Sequence, residues 1–313
     1  MISGRRTGTS VKPAEKPSVR DLRKAKYTRV LEEGERMNEY KSFYKTVGGG
    51  EGSRCNYPTR LDMYGKGCQH NCQYCYARSL LDFRGLWNPS EPACADKEKV
   101  VKRLDRIEPG SFLRLGGMTD PFQPIESEYH LTEWLINELN DRKINYLIVT
   151  KSATVADCEA ISPKFGHVQV SVTSTGDLAP EGFEVASSPE DRLKAAQRLF
   201  EREIDTQIRL SPFIPSYVKL DRILDSPVDK VLVEFLRVNT FIKRNFPSMD
   251  FRAWTVKSGG YNHLPLEMKL KMLEPLIAMK RLTVCEDHPE HYEYFRQHIN
   301  ANPKDCCDLK VMM

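Results

Sequence analysis

The sequence of 313 residues contains no apolar run close to the ~20 residues that a membrane-spanning helix needs. Its first ten residues have no apolar core of the kind found in secretory signal peptides. It has no internal repeat and no low-complexity tract, and its net charge is only +4. We therefore expect a cytoplasmic protein that does not enter a membrane, in a compartment where thiols stay reduced.

The nine cysteines are an odd number, which argues against a complete disulfide framework. Three of them, Cys68, Cys72 and Cys75, share one short polar loop with the spacing C-x3-C-x2-C. Thiolates are soft ligands that suit an iron–sulfur cluster or zinc. Three thiolates hold three irons of a [4Fe–4S] cluster and leave the fourth iron open to a substrate or cofactor. The count and the spacing favour such a cluster.

A structural zinc site is the alternative for this loop. It would need a fourth ligand, which His70 or a distant cysteine can supply. Structural zinc is usually held by two ligand pairs, and no clean second pair follows the loop.

Short apolar runs alternate with amphipathic stretches along most of the chain. The expected strands are Leu61–Tyr64, Phe112–Leu115, Asn145–Thr150, His167–Val172, Thr206–Leu210 and Lys230–Val238. Helical patterns follow the first four strands at Tyr76–Phe83, Tyr129–Asn140, Thr154–Ala160 and Glu190–Glu203. Repeated strand–helix units imply parallel strands joined by right-handed crossovers. Six units predict an α/β fold of the partial (β/α)6 TIM-like type, an open barrel.

Three regions follow from this pattern. Residues 1–54 form a basic, flexible N-terminal extension that ends in a glycine-rich stretch, and residues 55–257 form the partial barrel. Residues 258–313 form an α-rich C-terminal extension. Its amphipathic helix, Leu264–Met279, is expected to be kinked or broken at Pro275.

The N-terminal arm carries most of the uneven charge. Residues 1–26 contain eight basic and two acidic residues and thus a charge of +6, which leaves −2 for the remainder of the chain. Such an arm can be an electrostatic handle for nucleic acid or a solvated tail, and composition alone leaves both open.

Polar residues follow the second and third expected strands and lie in the fourth. Thr119 and Asp120 can accept hydrogen bonds from an ammonium group, Lys151 can pair with a carboxylate, and Ser171 can bond a ribose hydroxyl. In barrels of this class the chemistry lies at the C-terminal ends of the strands, where the cysteine loop also lies. Each residue alone is ordinary, but their convergence indicates a site.

Several segments together resemble the radical S-adenosylmethionine (SAM) superfamily, and within it the spore photoproduct lyase branch. They are the cysteine loop Gly67–Tyr76, the segment Met118–Glu126, Thr150-Lys151-Ser152, Ser171-Val172-Thr173 and Ser211–Pro215. The resemblance runs from roughly Tyr57 to Val238. The cysteine loop is specific to the superfamily, and the other segments point more weakly to the branch.

The resemblance implies a [4Fe–4S] cluster whose open iron binds SAM through its amino and carboxylate groups. An electron from the cluster would split SAM into methionine and a 5′-deoxyadenosyl radical, which abstracts hydrogen from the substrate. It also implies a low-potential electron donor of the flavodoxin or ferredoxin type. Thr119, Asp120, Lys151 and Ser171 occupy positions that contact SAM in the lyase-like enzymes, which implies the same roles here.

Two tyrosines flank the last cysteine of the loop. Tyr74 and Tyr76 resemble tyrosines that are thought to relay a hydrogen atom in the lyase, and they are the candidate catalytic residues. For Tyr76 we favour packing or contact with the adenine of SAM. The chain departs from the lyase at Gly116–Thr119, where it has no hydrogen-donating cysteine. Direct repair of the spore photoproduct is therefore doubtful.

The tail adds three cysteines, Cys285, Cys306 and Cys307. They are candidate ligands of a second iron–sulfur cluster, or else inert thiols. Adjacent cysteines are awkward ligands for one metal, because successive side chains point apart in extended backbone.

Three functions remain open at this point. The first is a radical SAM enzyme that acts on a nucleic-acid base, in DNA modification or a repair-like reaction. The second is a radical SAM enzyme for a small molecule or peptide, since one fold serves many functions. The third is a non-catalytic metal-binding nucleic-acid module, which would need none of the polar residues at the barrel mouth.

Overall fold

An eight-stranded sheet forms the centre of the computed structural model, which describes residues 42–45, 54–176 and 178–310. All of them belong to one unit, residues 40–313. The first half contains β1 (Phe43–Lys45), β2 (Thr59–Leu61), β3 (Tyr64–Gly65), α1 (Tyr76–Phe83), β4 (Ala93–Cys94), α2 (Lys97–Leu104), β5 (Phe112–Leu115), α3 (Glu126–Tyr129), α4 (Leu131–Asp141) and β6 (Asn145–Thr150).

The second half continues the same alternation. It contains a 3₁₀ turn (Ala153–Asp157), β7 (Gly166–Ser171), α5 (Pro189–Glu201), β8 (Asp205–Phe213), a second 3₁₀ turn (Pro215–Tyr217), α6 (Leu220–Leu224), β9 (Lys230–Phe235) and α7 (Thr240–Asn245). The tail adds β10 (Val256–Ser258), β11 (Tyr261–His263), α8 (Leu266–Met279), β12 (Arg281–Val284) and α9 (Pro289–His298).

The strand order of the main sheet is β1-β2-β5-β6-β7-β8-β9-β12. Only β1 is antiparallel to its neighbour, and every other pair in this sheet is parallel. The edge strands β1 and β12 do not pair with each other in the described part of the chain, so the barrel is open. The α/β partial barrel expected from the sequence is confirmed.

Several elements match the sequence pattern closely. Strands β5 and β6 and helix α1 have the expected bounds. The first strand ends at Leu61 rather than Tyr64, because Asp62 turns its carboxylate to the backbone N–H groups of Gly117 and Met118. Helix α8 is one continuous helix, and Pro275 does not break it.

The two faces of the barrel strands differ. Outward-facing residues form the main apolar core with the helices. Inward-facing positions of β7 and β8 carry polar side chains that bond to one another: Gln169 donates to Gln207 (2.7 Å), and Arg209 donates to Gln169 (2.7 Å). A buried polar network of this kind is stable only when its groups are paired.

Strands from both flanking regions join the sheet. Strand β1 belongs to the expected extension 1–54 and β12 to the expected tail 258–313. The domain boundaries stay predictions, and the basic arm 1–26 lies outside the described residues. None of the helices in the described ranges is both long and apolar enough to cross a bilayer.

A buried carboxylate holds the N-terminal ends of the strands together. Asp205 at the start of β8 lies 2.8 Å from His167 Nδ1 in β7 and 2.7 Å from Lys230 Nζ in β9, and it accepts the backbone N–H of Lys310. Burial alone would raise the pKa of Asp205, but the hydrogen bonds from His167 and Lys230 hold it well below its usual range.

Replacing this carboxylate should destabilise the fold in a pH-dependent way. We expect Asp205→Ala to lower the free energy of unfolding by about 3–5 kcal/mol at neutral pH, because the buried His167 and the half-buried Lys230 lose their shared carboxylate. Because the pKa of Asp205 is lower in the folded than in the unfolded state, its charge stabilises the fold at pH values above the unfolded-state pKa of about 4. The difference in free energy of unfolding between the variant and the unmodified protein should therefore shrink as the pH falls below that value. Denaturant unfolding at several pH values measures both effects.

The exposed Asp105, which pairs with Arg142, offers a matched control. Asp105→Ala should cost less than about 1 kcal/mol. Equal losses for the two variants, or an Asp205→Ala effect that does not change with pH, would contradict the assigned role.

Candidate active site

The cysteine loop and the polar residues predicted from the sequence meet at the C-terminal end of the sheet. A cavity of about 120 Å³ there is lined by Cys68, Cys72, Cys75, Tyr76, Thr119, Asp120, Lys151 and Ser171, among others. An adjoining cavity of about 130 Å³ shares Cys72, Cys75, Tyr76 and Lys151 and adds Tyr74. A larger cavity, about 750 Å³, lies at the opposite end of the strands near Asp205, away from all of these residues.

The cysteine loop is held by its neighbours rather than by its own short turns alone. Gln69 donates its backbone N–H to Gln123 (2.8 Å), and its side chain accepts the N–H of Ile125 (2.7 Å). His70 Nδ1 lies 3.2 Å from the carbonyl of Val185. The loop is therefore fixed to two other connections of the barrel.

The three thiols of the loop line one cavity. His70, the local fourth ligand that the zinc alternative could use, faces other groups: its Nδ1 lies 3.2 Å from the carbonyl of Val185, and its Nε2 lies 3.3 Å from Asp120 Oδ2. The loop therefore offers three thiols and no available imidazole, which fits the iron–sulfur interpretation better than the zinc alternative.

Burial disfavours the thiolate at both Cys68 and Cys72. It raises the pKa of Cys68 to about 12, and the nearby carboxylate of Asp120 adds to the rise. Burial and Glu184 raise the pKa of Cys72 well above its usual value, and the cation of Lys151 opposes part of this rise. Metal ligation requires the deprotonated thiol, so a metal bound here would have to offset the cost of burial.

Asp120 is saturated with protein partners. Its Oδ1 accepts hydrogen bonds from Thr150 Oγ1 (2.6 Å) and the N–H of Phe122 (2.9 Å), and its Oδ2 accepts the N–H of Lys151 (2.7 Å). His70 Nε2 lies 3.3 Å from the same Oδ2. Burial alone would raise the pKa of Asp120, but these contacts, with His70 first, hold it below its usual value. Asp120 thus joins the cysteine loop to the end of β6.

The other predicted cofactor contacts lie in different surroundings. Thr119 donates its hydroxyl to the carbonyl of Tyr64 (2.6 Å), which fixes the turn after β5. Ser171 is buried at the end of β7, where Arg192 bonds its carbonyl (2.9 Å). The Lys151 ammonium lies 5.6 Å from the centre of the Tyr74 ring. Their roles towards SAM stay predictions.

The two tyrosines are anchored differently. Tyr76 donates its hydroxyl to the carbonyl of Gly117 (2.6 Å) in the loop after β5. Tyr74 is buried, donates its hydroxyl to Glu184 and packs its ring 4.7 Å from that of Phe183. Burial raises the pKa of Tyr74, so its phenol stays protonated. A hydrogen-relay role for either tyrosine stays a prediction.

Sequence reasoning missed two acidic residues beside the site. Glu184 comes from the irregular connection before α5, and its buried side chain bonds Thr173 (2.6 Å), Tyr74 and Arg192. No local pattern marks it. Glu234 in β9 accepts hydrogen bonds from Ser211 (2.8 Å) and Arg209. A single acid within an apolar strand was the signal that could have identified Glu234.

The position of the missing cysteine is closed by packing. A Cβ atom at Gly117 would lie 1.9 Å from the hydroxyl of Tyr44, and one at Gly116 would lie 2.5 Å from the carbonyl of Val149. Gly116 also has φ +85°, which favours glycine. Neither position can hold a cysteine without moving its neighbours.

Comparison with known proteins gives a consistent assignment. Residues 49–174 match a family model described as a 4Fe-4S single cluster domain. An uncharacterized protein of Methanocaldococcus jannaschii is 25% identical over 195 residues, which are 58% of this chain and 74% of the relative. An uncharacterized protein of Mycobacterium tuberculosis is 27% identical over 188 residues, which are 56% of this chain but only 55% of that relative.

Among solved structures, a spore photoproduct lyase variant with bound AdoMet and dinucleoside spore photoproduct superposes with a TM-score of 0.56. The two chains are 14% identical, and the match covers 80% of this chain and 79% of the lyase. The match to a second lyase variant covers 82% of this chain and 93% of that variant, with a TM-score of 0.55. The fold that the resemblance implies is thus confirmed, and residues 49–174 are similar to a 4Fe–4S single cluster domain.

Removing the Asp120 carboxylate should loosen the cysteine loop. We expect Asp120→Ala to lower the iron retained after anaerobic reconstitution and to lower the melting temperature, because four groups lose a buried partner. Asp105→Ala is the control, because the exposed Asp105 pairs with Arg142 and lines neither cavity at the barrel mouth; it should keep its iron. Iron analysis and thermal unfolding measure both variants. Full iron content and an unchanged melting temperature in Asp120→Ala would refute the positioning role.

Proposed function

We propose that the chain is a radical SAM enzyme. The observation that carries the proposal is one cavity that is lined by the three loop thiols together with the polar residues Lys151 and Ser171. The match to a 4Fe–4S domain model and the lyase-like fold support it. A non-catalytic metal module would not need a cation and a hydroxyl directed to the same cavity.

Cys68, Cys72 and Cys75 would hold the [4Fe–4S] cluster, and SAM would bind beside it. When bound and reduced, the cluster supplies the electron that cleaves SAM to methionine and the 5′-deoxyadenosyl radical, which takes a hydrogen atom from the substrate. The cofactors carry this chemistry, and the barrel orients them and shields them from water. The family model matches residues 49–174, and none of the comparisons with known proteins described above supports a second cluster at Cys285, Cys306 and Cys307.

Individual residues of the barrel mouth would then have distinct tasks. Lys151 pairs with the carboxylate of SAM, since its ammonium lies beside Cys72. Ser171 bonds a ribose hydroxyl from the end of β7, and Tyr76 contacts the adenine beside Gly117. Thr119 and Asp120 are bonded to protein groups, so they would act on SAM by fixing the turn that borders it.

The reaction needs a low-potential electron donor of the flavodoxin or ferredoxin type, which we propose as a partner. A cytoplasmic location would keep that donor and the reduced thiols together.

The substrate class is the finer part of the proposal. We favour a nucleic-acid base, because the fold is that of an enzyme crystallised with a dinucleoside lesion and because the arm 1–26 is basic. A base in a duplex would have to leave the stack to reach the cavity. Thiol-dependent lesion repair is not part of the proposal, since Gly116 and Gly117 leave no room for a cysteine. A small molecule or peptide is the alternative substrate.

Anaerobic reconstitution tests the chemistry. We expect about four irons per chain at this site and slow release of 5′-deoxyadenosine from SAM with a strong reductant. Cys72→Ala should lose both, because the cluster loses one of its three ligands. The exposed Cys94 gives the control variant Cys94→Ala, which should retain both. Stoichiometric zinc without iron uptake, or intact iron without SAM cleavage, would rule out the proposed chemistry.

Salt dependence tests the substrate class. Phosphate contacts give a log–log slope of affinity against salt of about −0.9 per neutralised phosphate on duplex DNA. Binding of single- or double-stranded DNA or RNA should therefore weaken strongly between low and moderate salt. Deletion of residues 1–26 should make the slope shallower, because eight basic residues are lost, while the iron content stays unchanged.

The same titration separates the alternatives. A protein that binds no nucleic acid at low salt would exclude the nucleic-acid substrate and favour the small-molecule or peptide one. An unchanged slope after deletion would exclude the arm as the handle.

A further inference from the structure

We propose that Cys55, Cys285, Cys306 and Cys307 form a second metal site, which holds one zinc ion in a tetrahedral set of four thiolates. The site lies inside the open barrel, apart from the cysteine loop. Three of these residues come from the tail, and Cys55 comes from the segment before β2. None of the four contributes to the cavity at the barrel mouth.

The four thiols come together although they are up to 252 positions apart in the chain. They surround a small apolar cluster inside the barrel, formed with Tyr57, Leu147 and Leu232 among others. The thiol of Cys306 lies within electrostatic reach of those of Cys285 and Cys307. The thiol of Cys55 lies within electrostatic reach of Cys307 and Cys285.

The ligand count favours a single zinc ion. The thiols of Cys306 and Cys307 lie within 4.8 Å of each other, and Cys55 and Cys285 pack against the same apolar cluster. A tetrahedral zinc holds sulfurs about 3.8 Å apart, so the side chains of Cys55 and Cys285 would move towards that pair on binding. Four thiolates with no open position are typical of structural zinc.

Local backbone geometry removes the objection to adjacent cysteines. Cys306 and Cys307 lie in a turn, not in extended backbone, so their thiols can share one side. Asp305 shapes this turn: it accepts the N–H of Cys307 (2.9 Å) and that of Leu309 (3.1 Å). Its carboxylate also accepts the hydroxyl of Tyr57 (2.7 Å). Because Asp305 is occupied, the remaining ligands must be the thiols of Cys285 and Cys55.

A buried cation next to these thiols supports a negatively charged centre. Arg114 is 9% exposed, and its Nε has no hydrogen-bond partner within the described ranges. Its charge acts on Cys55 and Cys307, and that of Arg209 acts on Cys307. A buried guanidinium with an unpaired Nε is costly, whereas four thiolates around Zn²⁺ carry a net charge of −2 that would offset its charge.

The site would join the two ends of the open barrel. Contacts between the segment before β2 and the tail already surround it: Arg54 donates to the carbonyl of Asp287 (3.1 Å), and Asn56 to that of Lys304 (2.8 Å). Binding energy of a structural zinc is folding energy. The ion would therefore hold the tail against the first strands, in the opening that β1 and β12 leave unpaired.

The test uses the full chain with Cys68, Cys72 and Cys75 all replaced by alanine, so that the first cluster is absent. This variant should retain one zinc per chain by elemental analysis. Replacement of that zinc by Co²⁺ should give the absorption of tetrahedral cobalt thiolate. Adding Cys306→Ser or Cys55→Ser should remove the zinc. The exposed Cys94 and the buried Cys158, both outside the site, give the controls Cys94→Ser and Cys158→Ser, which should keep it.

Cobalt absorption is measured on the variant that lacks only Cys68, Cys72 and Cys75. The test therefore does not depend on whether the further cysteine variants fold. Absence of zinc together with no cobalt thiolate band would overturn the proposal. So would about four irons in the triple variant, which would indicate a second cluster, or a disulfide among the four cysteines in place of metal. The result is independent of SAM cleavage, so the proposed enzymatic function can fail while this site stands.

Discussion

The buried carboxylate of Asp120 is the contact on which the arrangement of the barrel mouth depends. A carboxylate in this environment is tolerated only when its oxygens are paired, and Asp120 finds its partners on three connections: Phe122 in its own turn, Thr150 and Lys151 after β6, and His70 in the cysteine loop. The same bonds that satisfy its charge fix the loop relative to the strand ends. The Asp120 side chain therefore determines both the position of the cysteine loop and the stability of the barrel mouth.

The sequence was informative wherever a local pattern decides the structure. Continuous apolar runs predicted β5 and β6, because strands covered on both faces need them, and the cysteine spacing identified the site loop. Residues that act through distant partners stayed hidden. Glu184 lies in an irregular connection, and Cys55 meets Cys307 only through the closing of the barrel. No local periodicity encodes such pairs.

The two proposed sites use one residue type in different surroundings. The thiols of Cys68, Cys72 and Cys75 come from one loop and border a cavity, which suits a cluster with an open iron. Those of Cys306 and Cys307 share a tight turn inside the barrel, with Asp305 as the residue that shapes it. The first arrangement leaves access for a second molecule. The second has none, and it faces buried arginines instead.

The closed packing at Gly117 separates what this chain shares with the lyase from what it does not. The cysteine loop and the fold are the features that resemble the lyase. Under the proposed function they hold the cofactors that form the 5′-deoxyadenosyl radical. The later step differs, because the only thiols lining the two mouth cavities in the described residues are the three cluster ligands. A substrate that has lost a hydrogen atom would therefore regain one from the deoxyadenosine formed beside it, or react onward to another product. Tyr44 occupies the space that a side chain at position 117 would need. It thus excludes a hydrogen-donating cysteine there and affects the reaction outcome, although it lines neither cavity.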